Sequence, residues 1–456
     1  MTMQRLRWPW LAPLAWGAIL LCCAGASSSS SAPDSTPADT AAAAAARSGR
    51  TSAPRVRPGI TVLLEDSLAL LRGKRVGLLT NQTGIDARGR SDIDLLFALR
   101  DRPDAAGARL VALFSPEHGI RGDLDRAGIA SGRDQRTGLP IYSLYGATVL
   151  PPPDSALKRL DVLVIDLQDL GARPWTYVAS MVYAVRAAAK HTLSVIVLDR
   201  PNPITGERAE GPVIDSALTY AGSDAPGRRA KPVALSPIPL RHGLTMGELA
   251  RFYNDELHLG APLHVIPSDG WHRDMWFDQT GLPWVKPSPN MPSLASATLY
   301  PGTVIFEATN LSVGRGTPEA FQQVGAPWLD AARVVQLLES REMTGVRFEA
   351  TRFAPDHPTD RKFGSVSVRG VRIVVTDRER VRVVRVAAAL LWAIARTNGD
   401  SLRVDVPHFD ELFGSPAARV ALLRGDDPDE VMDGTLAATV AFRERTRRYW
   451  LYGSTP

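Results

Sequence analysis

The sequence predicts an α/β fold: a Rossmann-like, doubly wound parallel sheet without a nucleotide site, followed by a second, smaller mixed α/β domain. Three observations predict it. From Lys74 onward, short and nearly continuous apolar runs alternate with helical segments, the pattern of parallel strands covered on both faces by crossover helices. No G-x-G-x-x-G follows the first of these runs, so the phosphate-binding turn of a dinucleotide site is missing. The length, 456 residues, exceeds one ordinary domain.

In chain order, KRVGLLTNQTG (74–84) is a strand entering a polar turn, SDIDLLFALRD (91–101) a helix, and RLVALFSPEHG (109–119) a second strand and turn. LKRLDVLVIDLQDLG (157–171) gives a helix end, a strand and another polar turn. WTYVASMVYAVRAAAKHT (175–192) is a helix, and LSVIVLDRPNPITG (193–206) the next strand and turn. GLTMGELARFYNDEL (243–257) is an amphipathic helix that closes the first domain, with Thr245 and Glu248 at capping-box spacing. LHVIPSDGW (263–271) is a strand, and the Trp- and Pro-rich stretch 271–300 is irregular. The segments 317–340, 363–377, 382–399 and 431–452 build the smaller domain. The boundaries drawn are 59–257 and 258–456, with a ligand cleft between the two domains.

Residues 1–58 stand apart from this body. A basic start (MTMQRLR), an apolar run broken by prolines (8–23) and AGA before five serines read as a secretory signal over 1–26. The expected location is therefore periplasmic or extracellular, without stable membrane insertion once the signal is cleaved. Cys23 is a candidate lipid attachment point, although Cys22 stands where a lipobox requires a small residue. Residues 27–58 are mostly Ser, Ala, Thr and Pro, too poor in large apolar side chains to fold, and read as a linker. Six arginines against two aspartates in residues 1–58 carry most of the net charge of +5, so the folded body is nearly neutral and has no nucleic-acid footprint. Both cysteines lie in the signal, so the mature chain has no disulfide and no thiolate nucleophile.

In an open parallel sheet, sites form beyond the carboxyl ends of the strands. Here those ends deliver Asn81 and Gln82, Glu117 and His118, Asp166 with Gln168 and Asp169, and Arg200 with Asn202. Glu117, between Pro116 and His118, can be partly desolvated and so hold a proton for donation; the competing reading is a helix cap or an ion pair. Arg173 beside Trp175 and Tyr177 suits a ligand carboxylate held against an aromatic wall. A Thr176 or Asp169 cap on the following helix is the competing reading, and for Asp169 it stands level with a functional role. From the second domain come Asn290, Glu307, Asn310 and Arg315, the last beside Gly314 and Gly316. These polar groups favour a sugar-like or acid-bearing ligand. The eight histidines form no H-E-x-x-H or H-x-x-x-H pair and no G-x-S-x-G occurs, which leaves carboxylate acid–base chemistry with no metal and no cofactor called for.

The ordered set TNQTG, SPEHG, DLQDLGARPWTY, DRPNP with EGP, PLRHGLTMGELA, PSPNMP, YPGT with FEATNLSVGRGT, FQQVGAPW and the terminal FRERTRRYWLY resembles the exo-β-N-acetylmuramidase family. These are the NamZ-type enzymes of glycoside hydrolase family 171, formerly a domain of unknown function, and the likeness spans about 59–452. The resemblance implies removal of N-acetylmuramic acid from the non-reducing end of peptidoglycan fragments, so that the partners are muramyl saccharides. It places the family's SPEHG glutamate on Glu117 as general acid. His118 is read as orienting it, and Asp169 and Glu307 as candidates for base, nucleophile or acetamide-orienting group. For such a substrate Arg173 or Arg315 would pair with the lactyl carboxylate, while Asn and Gln amides would bond the acetamido group. A non-catalytic muropeptide-binding module and a metal-dependent peptidoglycan amidase are the alternatives.

Overall fold

The computed structural model describes residues 56–121, 128–147, 149–219 and 232–455. The residues read as a signal, the candidate lipid attachment point Cys23 and nearly all of the residues read as a linker lie outside the described residues. Seven strands form the main sheet: β1 (Arg75–Thr80), β2 (Arg109–Ser115), β3 (Gly132–Arg133), β4 (Pro140–Ser143), β5 (Val162–Asp166), β6 (Ser194–Leu198) and, after the separate antiparallel pair β7 (Glu210–Val213) and β8 (Pro239–Arg241), β9 (Leu263–Ile266). The order is β3-β4-β2-β1-β5-β6-β9, parallel throughout except for the short β3 edge.

Alternation along the central strands supplies two cores at once. On β5, Val162 and Val164 enter the layer under α1 (Gly59–Asp66) and α2 (Asp92–Phe97), while Leu163 and Ile165 enter the layer under α3 (Tyr177–Ala189) and α4 (Met246–Glu256). Both faces are dry, which is why these strands read as unbroken apolar runs instead of alternating ones. Helix α4 begins at the expected capping box: the Thr245 hydroxyl accepts from the Glu248 amide, and the Glu248 carboxylate from the Thr245 amide.

The C-terminal part is smaller and differently built. Helix α5 (Leu294–Thr303) leads into a three-stranded antiparallel sheet, β10 (Gln323–Ala326), β11 (Val346–Phe353) and β12 (Val368–Val375), in the order β10-β12-β11. Helix α6 (Ala331–Glu339) covers it, α7 (Val383–Asn398) packs against α5 and α6, and α8 (Val406–Phe413) follows. Two details differ from the sequence reading. The main sheet does not end at residue 257, because β9 pairs in parallel with β6. The end of the stretch read as irregular, from Leu294, is helical, with Ser293 as its cap. The larger apolar core runs without interruption from the sheet into α7 and α8, so the described residues of the two parts pack as one compact unit.

Candidate active site

A cleft of about 170 Å³, open to solvent, lies in the seam between the two parts. From the sheet side come Glu117, His118 and the segment Pro174–Tyr177; from the C-terminal side come Asn290, Tyr300, Glu307, Arg315 and Phe321.

Glu117 reaches the cleft because the chain turns sharply after β2. His118 at φ 69° and Gly119 at φ 76° both take the left-handed conformation, and the turn closes with the Gly119 amide donating to the Pro116 carbonyl at 3.1 Å. For histidine that conformation is uncommon and mildly strained, a cost that recurs at functional turns. The Glu117 carboxylate is half-buried and accepts two hydroxyls: Tyr145 donates to Oε1 at 2.7 Å and Thr176 donates to Oε2. Thr176 occupies the N-cap position of α3 and makes no capping bond, because its hydroxyl is committed to Glu117. The cap reading of Thr176 is thereby corrected.

Opposite, Glu307 and Arg315 form an ion pair within the wall. The Arg315 Nε and Nη2 both meet Glu307 Oε1, at 2.6 and 2.5 Å, and the guanidinium lies 5.5 Å from the centre of the Phe321 ring. Lys362 donates to the Glu307 backbone carbonyl at 2.8 Å, and burial pulls its ammonium below the usual range. Tyr177, Trp175, Tyr300 and Phe321 stack edge to face in that order, with centroids 4.9 to 5.6 Å apart. Tyr177 is anchored by its hydroxyl to the Pro287 carbonyl at 2.5 Å, and Asn290 donates to the Thr359 hydroxyl at 3.2 Å.

The other rim residues singled out in the sequence do not line this cleft. Asp166 and Arg200 form a fully buried ion pair, with Nη2 2.9 Å from Oδ2 and a further bond from Arg200 to the Ile85 carbonyl. Asp92 stands behind them, 3.8 Å from the same guanidinium; burial and the neighbouring Asp166 hold its carboxyl well above the ordinary range, so it keeps its proton. One cation thus faces one anion and one neutral acid, which is how this charge survives at 5 % exposure or less. Arg173 is corrected most sharply. Its donors go to the carbonyls of Val233, Glu411 and Leu412 at 2.6 to 2.7 Å, so it clips the two parts together and presents no fork to a ligand. Burial lowers its guanidinium to about 10.

The amides are likewise committed. Asn81 turns the chain by accepting from the Thr83 amide and hydroxyl. Gln82 donates to the Lys286 carbonyl and Gln168 to those of Asp169 and Pro201. Asn310 exchanges bonds with Ser401 and Arg403. Asn202 accepts from the Ile204 amide and donates to the Leu244 carbonyl. It fills the space above Gly171, where a Cβ would stand 2.7 Å from its amide oxygen and φ is 75°. Asp169 accepts from the Gly171 amide at 2.6 Å, with His242 Nε2 3.3 Å away, beneath the cleft and not in its lining. Among the described residues, no group of three His, Cys, Asp or Glu side chains is placed to hold a metal ion.

Tyr145, Thr176, Tyr300 and Phe321 were missed as site residues. Tyr145 carried no signal, since it lies 28 residues from the carboxylate it serves. Tyr300 and Phe321 stand within YPGT and FQQVGAPW, stretches that were noticed without roles being assigned inside them.

Fold and cleft together define a class: a doubly wound α/β body without a nucleotide turn, closed by a C-terminal part that completes a carboxylate-lined, aromatic-walled cleft. The particular family follows from comparison. Profiles described as "Exo-beta-N-acetylmuramidase NamZ, N-terminal" and "C-terminal" match residues 76–295 and 298–452. The chain is 37% identical over 401 residues, 88% of its length and 92% of the relative's, to the peptidoglycan beta-N-acetylmuramidase NamZ of Bacillus subtilis (strain 168). Two crystal structures of DUF1343 family proteins from Bacteroides fragilis NCTC 9343 share its fold. One has TM-score 0.77 and 35% identity over 87% of this chain and 99% of that one; the other has 0.68 and 28% over 88% and 99%. The chain belongs to the NamZ exo-β-N-acetylmuramidase family.

Proposed function

We propose that this chain is a glycosidase that acts from the non-reducing end of peptidoglycan fragments and releases N-acetylmuramic acid. The observation that carries the reading is Glu117: within a chain of this family, it is the carboxylate set into the cleft by a strained turn and by two hydroxyl donors. In this reading Glu117 is the general acid that protonates the departing sugar oxygen, and His118 shapes the turn that presents it. Glu307, across the cleft, is the better placed of the two second-carboxylate candidates, since Asp169 lies beneath the lining. Arg315 lines the cleft and is the guanidinium to which the lactyl carboxylate of the substrate is assigned, by exchange with or addition to Glu307. The aromatic wall from Trp175 to Phe321 offers the apolar faces that sugar rings pack against.

Export through the N-terminal signal, with release or with lipidation at Cys23, belongs to the same proposal, because peptidoglycan lies outside the cytoplasmic membrane. The test is incubation of the purified mature chain with a chromogenic β-N-acetylmuramide and with muramyl disaccharides. Release of chromophore and of free N-acetylmuramic acid is expected. A protein that binds without releasing sugar would be a muropeptide-binding module, and activity abolished by chelation with no sugar freed would point to an amidase.

A further inference from the structure

Tyr300 is 5 % exposed, yet its hydroxyl makes no hydrogen bond with any described residue, and the side chain lines the cleft that holds Glu117 and Glu307. The ring is buried while the hydroxyl itself is not sealed off, so a hydrogen bond that it makes to water in the cleft is open to a ligand instead. Its ring cannot swing to find another use, since Trp175 and Phe321 clamp it edge to face at 5.6 and 4.9 Å. Burial, followed by the negative field of Glu307, holds the phenol well above its usual titration range; Glu117 and Asp169 add to the effect and Arg315 opposes it. The group is thus a fixed, neutral donor.

Two features around it select the acceptor. Glu307 acts on the hydroxyl most strongly and Arg315 is already engaged with it, which disfavours an anion as the hydroxyl's own acceptor. The adjoining lining is apolar, with Trp175, Met291, Val304 and Phe321. A neutral carbonyl joined to a methyl group fits both features, and a carboxylate fits neither. Resting on the muramidase reading for the identity of the sugar, we propose that Tyr300 is a substrate-contacting specificity residue that donates its hydroxyl to the 2-acetamido carbonyl, whose methyl packs on the apolar lining.

Tyr300→Phe deletes the hydroxyl and keeps the ring between its neighbours. Binding of free N-acetylmuramic acid and of its de-N-acetylated form is measured by calorimetry on the wild type and on Tyr300→Phe, with melting curves to check folding. The wild type is expected to prefer the N-acetyl sugar, and Tyr300→Phe to bind that sugar about 10- to 100-fold more weakly while the two proteins bind the de-N-acetylated sugar alike. The N-thioacetyl sugar, whose sulfur is the poorer acceptor, is expected to lose affinity for the wild type itself, a readout that needs no variant. Equal losses on both sugars, or no loss on either, overturn the assignment. Hydrolysis of a muramyl disaccharide, followed in parallel, separates the two claims. A wild type that discriminates through Tyr300 but frees no sugar removes the muramidase reading and supports the contact. One that frees sugar with N-acetyl preference intact in Tyr300→Phe does the reverse, and one that binds neither sugar overturns both.

Discussion

Asp166 and Glu117 end, or closely follow, strands that flank β1 on its two sides, and their fates are opposite. Asp166 is walled in, bonded to Arg200 and backed by the protonated Asp92. Glu117 is half-buried, faces a cleft, and among the described residues is held by hydroxyls alone. A strand end supplies a polar group; the partner decides what the group is for. A guanidinium sealed in the core with a carboxylate fixes it as structure, whereas two hydroxyl donors at the edge of a cleft orient a carboxyl group and leave it within reach of a ligand.

This contrast is broken most decisively at Glu117. Glu117→Gln keeps the hydrogen-bonding shape, removes the titrating group, and is expected to cut sugar release by about two to four orders of magnitude with an unchanged melting curve. Near-normal turnover would end the distinction. At the other pole, Arg200→Leu leaves Asp166 buried without its cation and is expected to cost about 3–5 kcal/mol in urea unfolding. Activity per folded molecule should stay close to wild type, and a stable but inactive variant would return Arg200 to the site.

Asp199, next to Arg200, sharpens the same point through pH. It accepts from the Thr245 and Tyr452 hydroxyls and the Gly247 amide, yet burial outweighs those donors and lifts it to about 7. Because an unfolded aspartate titrates near 3.8, the folded chain holds a proton that the unfolded chain has released. Its contribution to stability is therefore whole below about pH 4 and declines as pH rises through about 7, by on the order of a few kcal/mol. Unfolding midpoints of the wild type and Asp199→Asn, compared from pH 4 to 8, should converge or cross as pH rises; parallel curves would show that Asp199 is ionised throughout. The smallest effect is expected at Thr176. Thr176→Val removes one of the two donors to Glu117 and should lower kcat about tenfold at nearly constant KM, with recovery in Thr176→Ser. A change in KM alone would make the hydroxyl a binding group instead of a positioning one.

The fold was largely legible because its signals are local. Apolar runs such as Val162–Ile165 can only be strands buried on both faces, and the Thr245/Glu248 pair marks a helix start wherever the helix packs. The cleft was legible in part. Glu117, His118, Tyr177, Asn290, Glu307 and Arg315 do line it, and Arg173, Arg200, Asn202 and Asn310 proved to be internal fasteners. Residue type could not separate these groups, since an arginine that clips three carbonyls and an arginine that lines a cleft are spelled alike. The strand at Leu263–Ile266 was recognised as a strand and assigned to the wrong side of a boundary, because its partner β6 lies more than sixty residues earlier.

By itself the sequence determined the layered α/β body, the missing nucleotide turn and the presence of a glutamate at a tight turn after β2, all consequences of interactions among near neighbours in the chain. The tertiary structure alone decided which polar groups are free. That depends on contacts between segments far apart, such as Arg173 with Leu412 or Glu117 with Tyr145. A polar side chain that finds a partner inside the protein is lost to a ligand, and the identity of that partner is fixed only when the whole chain has closed around it.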